Sequence, residues 1–111
     1  MNWIELSSIE QIDLIKELSL QKTQVIFKHS TRCSISAVAK SRLERSITPE
    51  GIDFYYLDLI AHRQLSNMVS EQFDVFHESP QVLVISNGAC IYDESHSGIM
   101  MEEIEEVAKK N

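Results

Sequence analysis

A mixed α/β sheet with helices on both faces is the fold class that this 111-residue sequence predicts. Short apolar runs rich in β-forming residues alternate with helical patterns along most of the chain. Near the end, the pair Asn87-Gly88 separates two further apolar runs, which is typical of a β-hairpin. Only 3 Gly and 2 Pro punctuate the chain, and no repeat or linker divides it. One domain over residues 1–111 is therefore expected.

The predicted order of elements is β α β α β α β β α. The expected strands are Trp3–Leu6, Gln24–Lys28, Phe54–Leu59, Gln81–Ser86 and Ala89–Tyr92. The first three expected helices are 8–19, with Ile9, Ile12, Ile15 and Leu18 on its apolar face, 37–44, with Cys33 at its opening, and 65–73. A last helix is expected from about Ser97-Gly98 and buries Met100, Ile104, Val107 and Ala108. Strands that alternate with helices form parallel βαβ units, and the C-terminal hairpin adds an antiparallel pair. This arrangement is the thioredoxin-like fold.

Composition excludes several classes of partner. The formal net charge of −7 argues against nucleic acid and against an anionic membrane, since both require basic patches. The longest apolar runs are too short to span a bilayer. The N-terminus lacks an export signal, and two cysteines 57 residues apart suggest free thiols in a reducing compartment. A cytoplasmic protein is expected.

The stretch HSTRCSIS, residues 29–36, is the first candidate for chemistry. Cys33 follows a buried strand and opens a helix, where the helix dipole and unpaired backbone N–H groups favour a thiolate. Arg32 and a protonated His29 would add positive charge, and Ser34 and Ser36 would donate hydrogen bonds to the sulfur. Ser36 stands where a second thiol would allow dithiol chemistry. The alternative is a structural cysteine, half buried under a loop.

The second candidate is the loop Glu78-Ser79-Pro80, just before a buried strand. In a thioredoxin-like fold this loop comes beside the active-site sulfur, and we expect a cis bond at Pro80. Ser79 would then pair its N–H and C=O with an extended substrate, like an added strand. His77 either shapes the loop or positions the carboxylates of a small thiol. Arg32 is either solvated or binds an anionic substrate.

HSTRCSIS, together with HESPQ at residues 77–81, resembles the monothiol bacilliredoxins, the YtxJ-like proteins of the bacillithiol system. The resemblance spans nearly the whole chain. It implies a thioredoxin-like general stress protein of redox homeostasis that removes bacillithiol from mixed disulfides on other proteins. The family's cysteine corresponds to Cys33, and its cis-proline loop to Ser79-Pro80. The family often has Pro directly after the cysteine, whereas this chain has Ser34, which restores a backbone N–H.

The implied mechanism is a one-sulfur cycle. Cys33 takes the small thiol from an S-thiolated client protein, and a second small thiol or a dedicated reductase, for example a flavin-dependent disulfide reductase, resolves it. The small thiol is a co-substrate, and no bound cofactor is expected. The four histidines and two cysteines lack the spacing of a metal site. Cys90, expected at the far end of the sheet, is interpreted as structural rather than as a resolving thiol.

Two rival functions stay open at this stage. The first is an iron–sulfur carrier like the monothiol glutaredoxins, although Ser34-Ile35 does not match their usual Cys-Gly-Phe-Ser loop. The second is a non-catalytic thioredoxin-like interaction or stress protein, for which Cys33 would react no faster than an ordinary thiol. The reactivity of Cys33 separates the second rival from an exchange protein.

Overall fold

A five-stranded sheet in the order β1-β3-β2-β4-β5 organises the computed structural model, which describes residues 1–110. The strands are β1 (Ile4–Glu5), β2 (Thr23–His29), β3 (Ile52–Asp58), β4 (Gln81–Ser86) and β5 (Ala89–Ser95); the helices are α1 (Glu10–Leu18), α2 (Ser34–Arg45), α3 (Arg63–Gln72) and α4 (Met101–Lys109), with a 3₁₀ turn at His96–Gly98 before α4. β3 runs parallel to β1 and β2, whereas β4 is antiparallel to β2 and β5. The predicted mixed sheet is confirmed.

Helices cover both faces of the sheet, as predicted. β2 supplies both cores, because successive side chains of a strand point to opposite faces. Ile26 packs with α1 and α3, whereas Val25 and Phe27 pack with α2 and α4. The completely buried helix residues include Ile15 and Val69 on the first face, and Leu43 and Ile104 on the second. Within residues 1–110, no helix has the length and apolar character needed to cross a membrane.

The predicted hairpin joins β4 to β5. Asn87 and Gly88 have φ angles of 53° and 80°, and positive φ at both central residues is what a type I′ turn requires. Ser19, just after α1, fixes this turn in place. Its carbonyl accepts the N–H of Asn87 at 2.9 Å, and its hydroxyl accepts the N–H of Gly88 at 2.8 Å. The hairpin turn therefore lies beside the end of α1.

Two predicted helical faces differ from the structure. Met100 is 44% exposed, whereas Met101 is buried at 4%. The 3₁₀ turn and the extended residues 99 and 100 delay the start of α4, so Met100 is its N-cap and lies outside the helix, whereas Ile104 is buried and Val107 packs against the core as predicted. In α1, Ile12 and Ile15 are buried as expected, but Ile9 lies before the helix and is 53% exposed. Leu18, in the last turn of α1, is 39% exposed.

Replacement of the two neighbouring methionines by alanine should distinguish their environments. Met101→Ala removes a buried side chain that packs with Ile104, so we expect a loss of about 2 kcal/mol or more in the free energy of unfolding. Met100→Ala, at an exposed position, should cost less than about 1 kcal/mol. Urea unfolding of both variants measures the difference. Equal losses would contradict the register of α4 described above.

Candidate active site

Cys33 is the N-cap of α2, as the sequence predicts. Its backbone is extended, with φ −112° and ψ 120°, and its side chain is half-buried. The N–H of Cys33 donates to the carbonyl of Ser30 at 3.2 Å, which closes a tight turn between β2 and α2. The first turn of α2 contains no acidic residue. The unpaired N–H groups at this helix end therefore act on the thiol without a competing carboxylate in that turn.

Ser36 organises the loop that carries Cys33. The side chain is completely buried, and its hydroxyl accepts the N–H of Ser30 at 3.0 Å. The same hydroxyl shares a hydrogen bond with Nδ1 of His29 at 2.7 Å. This burial gives Ser36 a role inside the loop instead of the predicted contact with the sulfur and the substrate.

His29 would add positive charge near Cys33 only when protonated, and its surroundings oppose protonation. Burial is the main cause that lowers the pKa of this imidazole, and the ammonium of Lys40 lowers it further, against the opposing effect of Asp58. The ring lies 5.9 Å from that of Phe27 and 5.5 Å from that of Tyr56, centroid to centroid. His29 is therefore a neutral member of an aromatic cluster below the loop.

The bond between Ser79 and Pro80 is cis, as predicted. β4 begins at Gln81, which pairs with Lys28 of β2, so the register places Pro80 beside His29 and Ser79 beside the loop that leads to Cys33. The carbonyl of Pro80 accepts the N–H of His96 at 3.1 Å. In residues 1–110, the N–H and C=O of Ser79 have no hydrogen-bond partner. They are available to an extended chain.

Gln81 holds the cis-proline loop, residues 76–80, in its shape. Its buried amide donates to the carbonyl of Phe76 at 2.8 Å and accepts the N–H of Glu78 at 3.4 Å. Glu78 in turn lies 3.6 Å from Nε2 of His96, measured from its Oε1. The loop is thus tied to β4 and to the 3₁₀ turn. Sequence reasoning missed this role of Gln81, although its position at a buried strand entrance was a signal.

The remaining predicted contact residues lie at the surface around Cys33. Arg32 and Ser34 are both exposed, one on either side of the cysteine.

A shallow, mostly apolar cavity of about 190 Å³ lies beside the start of α2, between Ile35, Val38 and Arg42 on one side and His96 and Ser97 on the other. Arg42 closes its base by donating to the carbonyls of Ser97 and Ile99 at 3.1 and 3.2 Å.

His77 contacts a buried lysine that sequence reasoning missed. Nζ of Lys28 lies 3.2 Å from Nδ1 of His77 and donates to the hydroxyl of Ser70 at 2.8 Å. Lys28 is completely buried, and burial lowers the pKa of its ammonium to about 8. The sequence carried a signal for the burial of Lys28, because side chains alternate along a strand and Lys28 lies on the same face as the core residue Ile26.

Cys90 is separated from Cys33 by the length of the sheet. It pairs with Ile85, which pairs with Gln24 at the start of β2, whereas Cys33 follows the end of β2. The five residue-to-residue steps from Gln24 to His29 alone span about 16 Å. A disulfide requires Cα atoms within about 7 Å, so this geometry excludes an internal bridge. Burial raises the pKa of the Cys90 thiol to about 11. These observations support a structural role.

Solved structures with the same fold cover nearly the whole chain. One, described as having a thioredoxin fold, is 32% identical with a TM-score of 0.81, over 93% of this chain and 90% of that chain. The thioredoxin of Malassezia sympodialis is 17% identical with a TM-score of 0.73, over 98% and 90% of the two chains. The thioredoxin of Trypanosoma brucei brucei is 15% identical with a TM-score of 0.74, over 99% and 93%.

The fold and the cysteine at the helix N-terminus define a thiol–disulfide redox protein. A sequence model of the family described as Monothiol bacilliredoxin BrxC matches residues 4–104, and the chain belongs to this family. The resemblance carried by the two motifs is confirmed. Within residues 1–110, no cluster of three or more His, Cys, Asp or Glu side chains is arranged to hold a metal ion.

Stability should rise with pH as Lys28 titrates. Its pKa is about 8 in the folded protein and near 10.5 when unfolded, so between these values the unfolded chain binds more protons and rising pH favours folding. Relative to Lys28→Met, the free energy of unfolding of the wild type should rise by roughly 1 to 2 kcal/mol between about pH 8 and pH 9.5. Urea unfolding of both proteins at the two pH values measures this difference, and the titration of Cys90 is common to both. The exposed control Lys109→Met should show the same rise relative to Lys28→Met.

Cys90 should be a poor nucleophile in the folded protein. Because its pKa is raised from 9.0 to about 11, its thiolate fraction near neutral pH is about a hundredfold below that of an ordinary cysteine. In a Cys33→Ser variant, iodoacetamide should therefore label Cys90 about a hundredfold more slowly than in the same chain unfolded in urea. Intact mass spectrometry follows both rates. Equal rates in the two states would show that Cys90 is accessible and reactive.

Proposed function

We propose that this protein removes a low-molecular-weight thiol, bacillithiol, from mixed disulfides on client proteins, with Cys33 as the only redox sulfur. One observation carries the proposal. A single cysteine caps α2 beside a cis-proline loop, and the position that would hold a second thiol holds Ser36, which is buried and hydrogen-bonded within the loop. The family match supports the choice of bacillithiol.

The first step transfers the small thiol to Cys33. The Cys33 thiolate attacks the sulfur of the small thiol in the client's mixed disulfide. A new disulfide forms between Cys33 and the small thiol as the old disulfide breaks. The client cysteine leaves as a thiolate and takes a proton from solvent. No electron is gained or lost overall, because one disulfide replaces another.

The second step restores Cys33. A second molecule of the small thiol, as its thiolate, attacks the small-thiol sulfur bound to Cys33. Cys33 leaves as a thiolate, and a symmetrical disulfide of the small thiol is released. A flavin-dependent disulfide reductase is the candidate enzyme that reduces this product. Ser36 takes no part in resolution, because a hydroxyl does not form a disulfide.

Substrate recognition is assigned to groups on both sides of the sulfur. The unpaired N–H and C=O of Ser79 pair with the extended chain of the client, and Pro80 holds them outward. Arg32 and Ser34, both exposed, contact the small thiol near Cys33, and His77 contacts its carboxylates. A cytoplasmic location fits these partners, since bacillithiol is a cytosolic thiol.

Intact mass after mixing with small-thiol disulfides tests this function. The reduced protein is incubated separately with the disulfides of bacillithiol, glutathione and coenzyme A. We expect a single rapid adduct, fastest with bacillithiol, because Cys33 is half-buried at a helix N-terminus, whereas burial raises the pKa of the Cys90 thiol to about 11. Cys33→Ser should lose the adduct completely.

The matched control is Cys90→Ser, which should form the adduct as fast as the wild type. Slow labelling of both cysteines by all three disulfides would contradict the exchange mechanism. It would favour a thioredoxin-like interaction protein instead. Faster labelling by glutathione or coenzyme A would retain the mechanism and replace the proposed small thiol.

A further inference from the structure

The buried lysine of β2 lacks the partner that buried lysines normally require. Lys28 is completely buried, and no carboxylate in residues 1–110 lies within ion-pair distance of its ammonium. Among the side chains of residues 1–110, its polar contacts are the hydroxyl of Ser70 and Nδ1 of His77. An ammonium without a counter-charge is costly to bury, and an apolar side chain would fill the same place without that cost. A cost of this kind often indicates a functional role.

The contact with His77 determines where the imidazole proton lies. A lysine ammonium has three donors and no acceptor, so Nδ1 of His77 must accept. A neutral imidazole that accepts at Nδ1 carries its proton on Nε2. The ring is exposed on the rest of its surface, since His77 belongs to the exposed residues of the loop. Nε2 is therefore a hydrogen-bond donor available to a ligand.

The charges around His77 keep the imidazole neutral. Burial is the main cause that lowers its pKa, and Lys28 from β2 and Arg63 from α3 lower it further. Glu78, the next residue in the chain, acts in the opposite direction. Because the two cations and burial prevail, the tautomer fixed by Lys28 is the form present at neutral pH.

His77 belongs to the cis-proline loop, whose Ser79 lies beside the turn that leads to the reactive cysteine. It lies two residues before Ser79, and the β2–β4 register brings this loop beside the turn that leads to Cys33. The amide of Gln81 holds the carbonyl of Phe76 and the N–H of Glu78, one residue on either side of His77. The backbone on both sides is thus fixed, and the bond to Lys28 fixes the ring.

We propose that Lys28 is a positioning residue of the exchange site, which holds His77 as a neutral Nε2–H donor for a carboxylate of the small-thiol substrate. This inference rests on the proposed function. It assigns a role to a residue that does not touch the substrate. It also predicts that the small thiol must carry a carboxylate within reach of the cis-proline loop.

Long-range ¹H–¹⁵N spectra of the histidines test the tautomer without any activity measurement. In the wild type at pH 7, His77 should show a protonated Nε2 and an unprotonated Nδ1, with His77→Gln identifying its signals. Lys28→Met should give a mixture of tautomers and a higher His77 pKa, whereas Lys109→Met, which removes the same charge at the far end of the sheet, should resemble the wild type. A protonated Nδ1 in the wild type would overturn the proposal, whatever the variants do.

Exchange kinetics with two simple disulfides test whether the site recognises a carboxylate on the small-thiol substrate. Dithiodipropionate carries carboxylates and cystamine carries amines. Lys28→Met should raise KM for dithiodipropionate about tenfold while kcat changes less than about threefold, and should leave cystamine unaffected. His77→Ala should have the same effect, and His77→Gln, which retains an N–H donor, should recover part of it. Equal losses with both disulfides would overturn the positioning role. A wild type that exchanges with neither, nor with bacillithiol disulfide, would instead refute the proposed function.

Discussion

The antiparallel pairing of β2 with β4 is the constraint on which the site depends. Lys28 pairs with Gln81, so the end of one strand and the start of the other lie together. The chain must then leave β2 into the turn that carries Cys33 and must enter β4 through the cis-proline loop. A slip of one residue in this register would reverse the faces of all side chains in β4 and remove the loop from the cysteine. Both strands are almost completely buried, which makes such a slip costly.

Acidic residues are distributed unevenly among the N-terminal turns of the helices. α1 has Glu10 and Asp13 in its first turn, and α4 has Glu102 and Glu103. These carboxylates interact favourably with the positive ends of their helices. α2 and α3 have no acidic residue in their first turns, although the chain has a net charge of −7. At α2 the residue at the positive end of the helix is Cys33, its N-cap, and no carboxylate of that turn neutralises the helix dipole there.

The sequence predicted the fold because its signals are local. Buried strands appear as short apolar runs, and Asn87-Gly88 specifies its turn through backbone angles that few other residue pairs adopt. The sequence specified the buried face of α4 less clearly. Met100 precedes Ile104 by four residues and Met101 precedes it by three, so both methionines fit the helical spacing of a buried face with Ile104 and Val107. Only the 3₁₀ turn and the extended residues before the helix decide between them, and both depend on packing against α2.

The site was predicted in outline, because Cys33 and Pro80 occur in recognisable motifs. The roles of their neighbours were not, since they depend on contacts between residues distant in sequence. His29 and Ser36 are seven residues apart, and Lys28 and His77 are 49 apart. Ser36 was expected at the sulfur, and His29 was expected to add positive charge if protonated, whereas the structure joins the two in a buried pair. Burial of a polar group converts it from a ligand-binding candidate into part of the scaffold.

The two edge strands of the sheet, β1 and β5, are poorly suited to pairing with strands of other proteins. β1 has only two residues, and β5 is a longer edge strand that carries Asp93 and Glu94 and is irregular where Val84 and Ile85 face it. Short length, charge and irregularity all discourage a foreign strand from extending a sheet. The sheet therefore resists extension by a foreign strand at both edges. Among residues 1–110, the N–H and C=O of Ser79 are backbone groups without a hydrogen-bond partner that lie away from these edges, at the entrance to the central strand β4.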